Sequence, residues 1–203
     1  MVTIVGVGPG NIMLVTPYAI EKISKADLLV GGKRHLDEFF YIKCEKIAID
    51  SKIDYSKILK HSGNIVILAS GDPFLYGIAE VILRYIDKDQ VEVVPGISSV
   101  QYLCSQLKIS FEDLKVVSLH GKDYDIIKVL KENKKVAVFT DNVHTPQFIA
   151  KTLLNNNYTF VNIHIGENLS YENEKIYLYN VKELANERKE FELNTVVITC
   201  GDI

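Results

Sequence analysis

Short apolar runs of strand length alternate with stretches of helical periodicity along the chain, a pattern typical of α/β proteins. The first half predicts strands at residues 2–5, 28–30, 46–49, 65–69 and 91–94, and helices at 16–25, 55–61, 75–86 and 98–107. The second half predicts strands at 116–119, 136–139, 161–165, 176–179 and 195–199, and helices at 125–131 and from 145 onward. Thr16-Pro17 and Thr145-Pro146 mark two helix starts, because threonine is a good N-cap and proline suits the first helical position.

A change of pattern between Lys108 and Asp113 predicts a domain boundary, since polar residues accumulate there without a clear period. We therefore expect one α/β subdomain at residues 1–109 and a second at 110–203. Few helices separate the last three predicted strands, which predicts a mixed sheet with antiparallel pairs in the second subdomain.

Composition and charge argue against nucleic-acid-binding and membrane-associated functions. The chain has 203 residues, 47% of them hydrophobic, and a net charge of -3. This balance gives no overall field toward nucleic acid or an anionic membrane, so we expect neither as a partner. Because no apolar run reaches membrane-spanning length and no leader pattern is present, we expect a cytoplasmic protein. Cys44, Cys104 and Cys200 lack metal-ligand spacing, so we expect reduced thiols and no metal site.

The segment GVGPGN, from Gly6 to Asn11, follows the first predicted strand. It departs from the dinucleotide fingerprint GxGxxG, because Asn11 replaces the last glycine and no acidic residue ends the second strand. It also lacks the GK[ST] of a phosphate-binding loop, and Pro9 has no N–H to offer a phosphate. Taken alone, the segment fits a simple turn and a ligand-binding loop equally well.

Two further loops leave buried strands at their carboxyl ends, where open α/β sheets bind ligands. Residues 70–73 read Ser-Gly-Asp-Pro, and residues 95–99 read Pro-Gly-Ile-Ser-Ser. Asp72, Ser98 and Ser99 are also ordinary helix caps, which is the simpler structural explanation for each of them. Three glycine-containing loops after three strands nevertheless favour a ligand site.

Together these loops resemble the tetrapyrrole methylase family, the S-adenosylmethionine (SAM)-dependent methyltransferases of cobalamin and sirohaem synthesis. The resemblance is carried by VGVGPG at 5–10, SGDPF at 70–74 and VPGISS at 94–99, and it covers essentially the whole chain. It implies two α/β subdomains with a ligand cleft between them, SAM as the methyl donor and a homodimer. The cofactor-binding residues that it implies are Pro9, Gly71, Asp72, Leu75, Ser98, Ser99, Thr140 and Gly166.

Other stretches resemble the members of this family that methylate C5 of a cobalamin precursor. They are VGGKRHL at 30–36, VSLHGK at 117–122 and GENLS at 166–170. The resemblance implies methyl transfer to C5 of cobalt-precorrin-7 or precorrin-7. Some relatives are fused to a second methyltransferase that acts at C15 and decarboxylates. This chain contains a single methyltransferase, which implies a separate protein for the step at C15.

Methyl transfer requires few catalytic side chains, because SAM carries its methyl group on a good leaving group. A base that removes a proton afterwards is predicted at Asp72 or His120, for which a structural role fits equally well. The substrate carries many carboxylates, so we expect cationic donors at its site. The candidates are Lys33, Arg34, His35 and Lys122. The other histidines, His61, His144 and His164, are interpreted as structural.

Several alternative functions stay open at this point. Within the family, the target is another corrin position or a protein side chain, as in diphthine synthesis. A dinucleotide-dependent oxidoreductase belongs to a different class, and Asn11 and the missing acidic residue argue against it. A non-catalytic SAM-binding module is a further alternative, because the family's chemistry leaves no unmistakable catalytic residue.

Overall fold

The computed structural model describes residues 1–119 and 125–201. The chain divides into two compact units, Met1–Ser98 and Ser99–Ile203, and each contains one five-stranded sheet. The predicted α/β class is therefore confirmed.

The sheet of the first unit is entirely parallel, with the strand order β3-β2-β4-β1-β5. Its strands are β1 (Val2–Gly6), β2 (Leu28–Gly31), β3 (Glu45–Ala48), β4 (Ile65–Ala69) and β5 (Val91–Val94). Its helices are α1 (Pro17–Ser24), α2 (Lys33–Glu38), α3 (Tyr55–Ile58) and α4 (Ala79–Ile82). The central strands β1 and β4 are buried at every position, as expected for a parallel sheet that is covered on both faces.

Alternate residues of β4 pack into two different clusters on opposite faces of this sheet. Val66 and Leu68 share one cluster with residues of α1, whereas Ile65 and Ile67 share the other with residues of α4. The helices that follow the neighbouring strands β1 and β4 thus lie on opposite faces. Such a point, at which the chain leaves adjacent strands toward opposite faces, is where open α/β sheets form a ligand-binding crevice.

The helix predicted at 75–86 is wrong in its extent, because only Ala79–Ile82 is α-helical. Tyr76 has a φ of 54°, a left-handed conformation that a right-handed helix cannot continue through. The Asp72 carboxylate also accepts the N–H groups of Phe74 and Leu75, which folds the segment into a tight turn instead.

The second unit has a mixed sheet with the strand order β6-β7-β10-β8-β9. Its strands are β6 (Leu114–Ser118), β7 (Lys135–Phe139), β8 (Val161–Glu167), β9 (Lys175–Asn180) and β10 (Asn194–Cys200). Its helices are α5 (Ser99–Leu107), α6 (Ile126–Glu132), α7 (Pro146–Asn155) and α8 (Val181–Ala185). Strands β6 and β7 are parallel and the other pairs are antiparallel, which confirms the predicted mixed sheet.

The division after Ser98 places helix α5 in the second unit, whereas the predicted boundary lies at residue 109. The apolar residues Leu103 and Cys104 of this helix pack with Ala137 and Val197 on one face of the second sheet. The helix therefore belongs to the second unit by its core contacts. The polar stretch after it is a connection within that unit.

Side-chain caps fix several helix starts as the sequence predicts. The Thr16 hydroxyl accepts the N–H of Ala19, and the Thr145 hydroxyl accepts the N–H of Phe148. Helix α8 was not predicted, although Asn180 and Glu183 form a complete capping box at its start. Within the described residues, no helix has the length and apolarity that crossing a membrane requires.

Candidate functional site

The three glycine-containing loops of the first unit contact each other through their backbones. A Cβ atom on Gly96 would lie 2.2 Å from the carbonyl oxygen of Gly71 and 2.8 Å from the Cα of Gly6. A Cβ atom on Gly6 would lie 2.5 Å from the nitrogen of Gly96. Only glycine allows this approach, so these residues join the ends of β1, β4 and β5 into one structure.

The loops after β1 and β4 are also joined by a hydrogen bond. The N–H of Gly71 donates to the carbonyl oxygen of Gly8 at 2.9 Å, and the two residues form an isolated antiparallel bridge. Both glycines have positive φ angles, 75° for Gly8 and 63° for Gly71, which other residues rarely adopt. The bridge lies where the chain leaves β1 and β4 toward opposite faces, so it borders the expected ligand crevice.

Asp72 ties the loop after β4 to the loop after β5. Its Oδ1 accepts the N–H groups of Phe74 at 2.9 Å and Leu75 at 3.3 Å, and its Oδ2 accepts the N–H of Gly96 at 3.3 Å. Both carboxylate oxygens thus hold backbone groups in place. These contacts give Asp72 a direct structural role in the shape of the site.

The structure brings together the cofactor residues predicted in this unit. Leu75 donates to Asp72, and the Cα of buried Ser98 lies 3.3 Å from the position of a Cβ on Gly71. Pro9 is buried immediately after Gly8, next to the bridge. Residues that are distant in the sequence therefore form a single cluster at the carboxyl ends of β1, β4 and β5.

The predicted cationic residues Lys33, Arg34 and His35 form the start of α2, and their side chains differ in position. The Arg34 guanidinium donates from Nη2 to the Ser70 hydroxyl at 3.4 Å, which places it beside the loop after β4. Lys33 is exposed and lies 3.8 Å from the Asp37 carboxylate. His35 is turned inward and only 5% exposed, so its imidazole is not presented at the surface.

The three cofactor residues predicted in the second unit meet around the start of β10. Thr195 donates its hydroxyl to that of Ser99 at 2.8 Å and is paired with Gly166 on β8. The Thr140 hydroxyl donates to the Oδ1 of Asn194 at 2.9 Å. No sequence motif points to Asn194 or Thr195, because only the folded sheet brings them to these partners.

Glu167, directly after Gly166, is a buried carboxylate with three hydrogen-bond donors. Its Oε1 accepts the N–H of Glu192 at 2.8 Å and Lys189 Nζ at 2.9 Å, and its Oε2 accepts the Tyr177 hydroxyl at 3.1 Å. Burial acts to raise the pKa of Glu167, but the donors outweigh it, so the pKa lies below its ordinary value of 4.5.

Replacing Glu167 with glutamine is expected to lower the free energy of unfolding by about 2 kcal/mol at neutral pH, because buried donors lose a charged acceptor. A carboxylate with a lowered folded pKa stabilises the fold above about 4.5 and loses this contribution as the pH falls through the folded pKa. The difference between the two proteins should therefore shrink in acid. Urea denaturation at a series of pH values measures it. A difference that stays constant down to about pH 3 would contradict this assignment.

Of the predicted residues, His120 and Lys122 lie outside the described residues.

His144, which the sequence interpretation treated as structural, has a charged partner that the interpretation missed. His144 Nδ1 lies 3.1 Å from each oxygen of the Asp141 carboxylate, and the backbone N–H of His144 donates to Asp141 Oδ1 at 2.6 Å. The D-x-x-H spacing after β7 is a weak sequence signal for this pair. Among the described residues, no three histidine, cysteine or acidic side chains are arranged to hold a metal ion.

Comparisons with known proteins agree with this arrangement. The profile of the Tetrapyrrole (Corrin/Porphyrin) Methylases matches residues 1–185. The cobalt-precorrin-7 C(5)-methyltransferase of Salmonella typhimurium is 38% identical over 203 residues, covering 98% of each chain. The probable cobalt-precorrin-7 C(5)-methyltransferase of Methanocaldococcus jannaschii is 36% identical over 213 residues, covering 100% of this chain and 99% of the relative.

A solved structure supports the fold. The uroporphyrin-III C-methyltransferase of Thermus thermophilus, complexed with S-adenosylhomocysteine, superposes with a TM-score of 0.79 at 22% identity. The match covers 98% of this chain and 91% of that one. The family profile matches most of the length of the chain, and the structure has both sheets and the three joined loops. The chain therefore belongs to the tetrapyrrole (corrin/porphyrin) methylase family.

Proposed function

We propose that this protein is a methyltransferase that transfers the methyl group of SAM to C5 of cobalt-precorrin-7 in cobalamin biosynthesis. The observation that carries the proposal is the backbone contact of Gly6, Gly71 and Gly96 at the carboxyl ends of three parallel strands. The choice of C5 rests on the two relatives of nearly equal length whose names specify that position.

The loops of the first unit fit SAM, which supplies an electrophilic methyl group when bound. Because Gly8 and Gly71 have no side chains, their backbone is uncovered beside the crevice, and a nucleoside can approach it closely. We propose that Pro9, Gly71, Asp72, Leu75 and Ser98 line this site. For Ser99, Thr140 and Gly166 the proposal rests on the resemblance and on their shared contacts around β10.

The contribution of the chain to the reaction is then mainly orientation and exclusion of water. Asp72 holds three backbone N–H groups, so we propose that it acts by fixing the loops. The proton that leaves C5 after methylation needs an acceptor, and His120 stays the predicted candidate. In this proposal Asp72 maintains the geometry of the loops and His120 accepts the proton.

Arg34 is proposed to bind a carboxylate of the corrin substrate, because its guanidinium lies at the loop after β4. Arg34→Met is expected to raise the KM for the corrin about tenfold or more while the affinity for S-adenosylhomocysteine stays within about twofold. Steady-state kinetics and calorimetry measure the two quantities.

Lys33→Met is the matched control for this prediction, since Lys33 is the neighbouring cation but is paired with Asp37 and points into solvent. We expect a smaller effect on KM from this variant. Equal effects of the two substitutions would show that only the general positive charge matters. An unchanged KM in Arg34→Met would remove Arg34 from the substrate site.

Several finer proposals accompany the main one. We propose a homodimer and a separate C15-methyltransferase that decarboxylates the product, both from the resemblance. A cytoplasmic location is supported by the three free thiols of Cys44, Cys104 and Cys200, which suit a reducing compartment. The family match argues against the dinucleotide-dependent oxidoreductase.

The experiment that tests the main proposal is anaerobic incubation of the purified protein with SAM and cobalt-precorrin-7. Mass spectrometry and NMR of the product are expected to show one new methyl group at C5. A methyl group at another carbon would assign a different ring position. Tight SAM binding without any transfer would overturn the C5 assignment and direct the search to other substrates, including protein side chains.

A further inference from the structure

Two aromatic side chains are exposed on the loop after β4. Phe74 and Tyr76 are each 51% exposed, although both lie within a few residues of the buried strand end at Ala69. We call these two residues the aromatic rim. Their position on a loop next to the ligand crevice lets a molecule bound there contact both rings.

The loop that carries the aromatic rim is tightly constrained. Tyr76 has a φ of 54°, a strained conformation for a residue with a bulky side chain. A Cβ on the next residue, Gly77, would lie 2.4 Å from the carbonyl oxygen of Pro73, so the backbone is folded back on itself. Asp72 fixes the N–H of Phe74 at 2.9 Å. The rings are therefore displayed on a preorganised backbone, and the strain is maintained by these contacts.

A cation lies at the start of the same loop. The Arg34 guanidinium donates to the hydroxyl of Ser70, and Ser70 directly follows β4. The loop thus has a positive charge at its beginning and two exposed rings a few residues later. Flat aromatic faces bind conjugated ring systems by stacking, and guanidinium groups bind carboxylates.

We infer that the aromatic rim and Arg34 form the binding surface for the macrocycle, in which the rings contact the conjugated system and Arg34 holds a carboxylate at its edge. This inference rests on the proposed function and adds the residues that recognise the substrate. A conjugated ring with acidic groups at its edge is complementary to both features.

The test uses uroporphyrin III, a porphyrin with acetate and propionate groups at its edge. Its binding to the full chain is measured by quenching of the fluorescence of the porphyrin. Phe74→Ala and Tyr76→Gly are each expected to raise the Kd about tenfold. Glycine at position 76 removes the ring and favours the observed φ, so the loop backbone is preserved. Phe160→Ala is the control, because Phe160 is 88% exposed in the second unit and should leave the Kd unchanged.

Affinity for S-adenosylhomocysteine, measured on the same proteins, separates this inference from the proposed function. Wild-type protein that fails to bind S-adenosylhomocysteine would contradict the proposed function. Rim variants that keep this affinity and bind the porphyrin as the wild type does would overturn the inference alone. If these variants change the sedimentation coefficient but not the porphyrin Kd, a second copy of the chain covers the rim and the inference is also overturned.

Discussion

Gly96→Ala is expected to abolish binding of S-adenosylhomocysteine and to lower the free energy of unfolding by about 3 kcal/mol. The new methyl group would lie 2.2 Å from the carbonyl oxygen of Gly71 and 2.8 Å from the Cα of Gly6. Both neighbours are backbone atoms, so neither can rotate away as a flexible side chain would. The loops after β1, β4 and β5 would have to separate. Calorimetric titration and urea denaturation measure the two effects.

Gly32→Ala is the matched control for this substitution. Among the residues that the structure describes, a Cβ on Gly32 has only His35 Cδ2 nearby, at 3.8 Å, so the added methyl group has room. We expect a loss of stability of about 1 kcal/mol or less, well below that of Gly96→Ala, because alanine is a poorer N-cap than glycine but its methyl group meets no backbone atom. A Gly96→Ala protein that binds S-adenosylhomocysteine as tightly as the wild type would show that the backbone contact is not needed for the site.

Asp72→Ala is expected to weaken S-adenosylhomocysteine binding by about a hundredfold. The substitution removes the acceptor for the N–H groups of Phe74, Leu75 and Gly96, and so releases the loop after β4 from the loop after β5. Each hydrogen bond to a charged acceptor contributes about 1.5–3 kcal/mol, and part of this is recovered by water in the loosened loops. Calorimetric titration of the variant measures the loss.

Asp72→Asn distinguishes loop fixation from proton transfer. The amide keeps the Oδ1 acceptor for Phe74 and Leu75 but places an NH₂ group, which cannot accept a hydrogen bond, opposite the Gly96 N–H. We therefore expect an intermediate Kd and a kcat within about tenfold of the wild type. A variant with normal affinity for S-adenosylhomocysteine and no turnover would instead identify Asp72 as the base.

The sequence was sufficient for most of the fold because local signals and burial agree in this chain. Thr16-Pro17 and Thr145-Pro146 are caps that act within four residues, and the continuous apolar run of β4 indicates a strand that is covered on both faces. The helix predicted at 75–86 failed because Tyr76 adopts a left-handed conformation, which the identity of the residue does not reveal. The division after Ser98 depends on which sheet α5 packs against, and that contact is tertiary.

The candidate site shows the same limit. The glycine pattern located the three loops, but the identity of the partner of each glycine appears only in the folded sheet. Arg34 and His35 are adjacent in sequence and equally basic in appearance, yet one lies at the loop after β4 and the other is buried. The orientation of side chains on a short helix such as α2 is set by what it packs against, and the sequence alone does not specify it.

The contact of Gly6, Gly71 and Gly96 also constrains how the site forms during folding. These residues are far apart in the sequence, and they meet only after the parallel strands β1, β4 and β5 have paired, which requires the closure of long loops. The site is therefore completed late, and a fragment that ends before β5 lacks the backbone against which the other two loops rest. For the engineering of new substrate specificity, the three loops form one unit that has to be exchanged together.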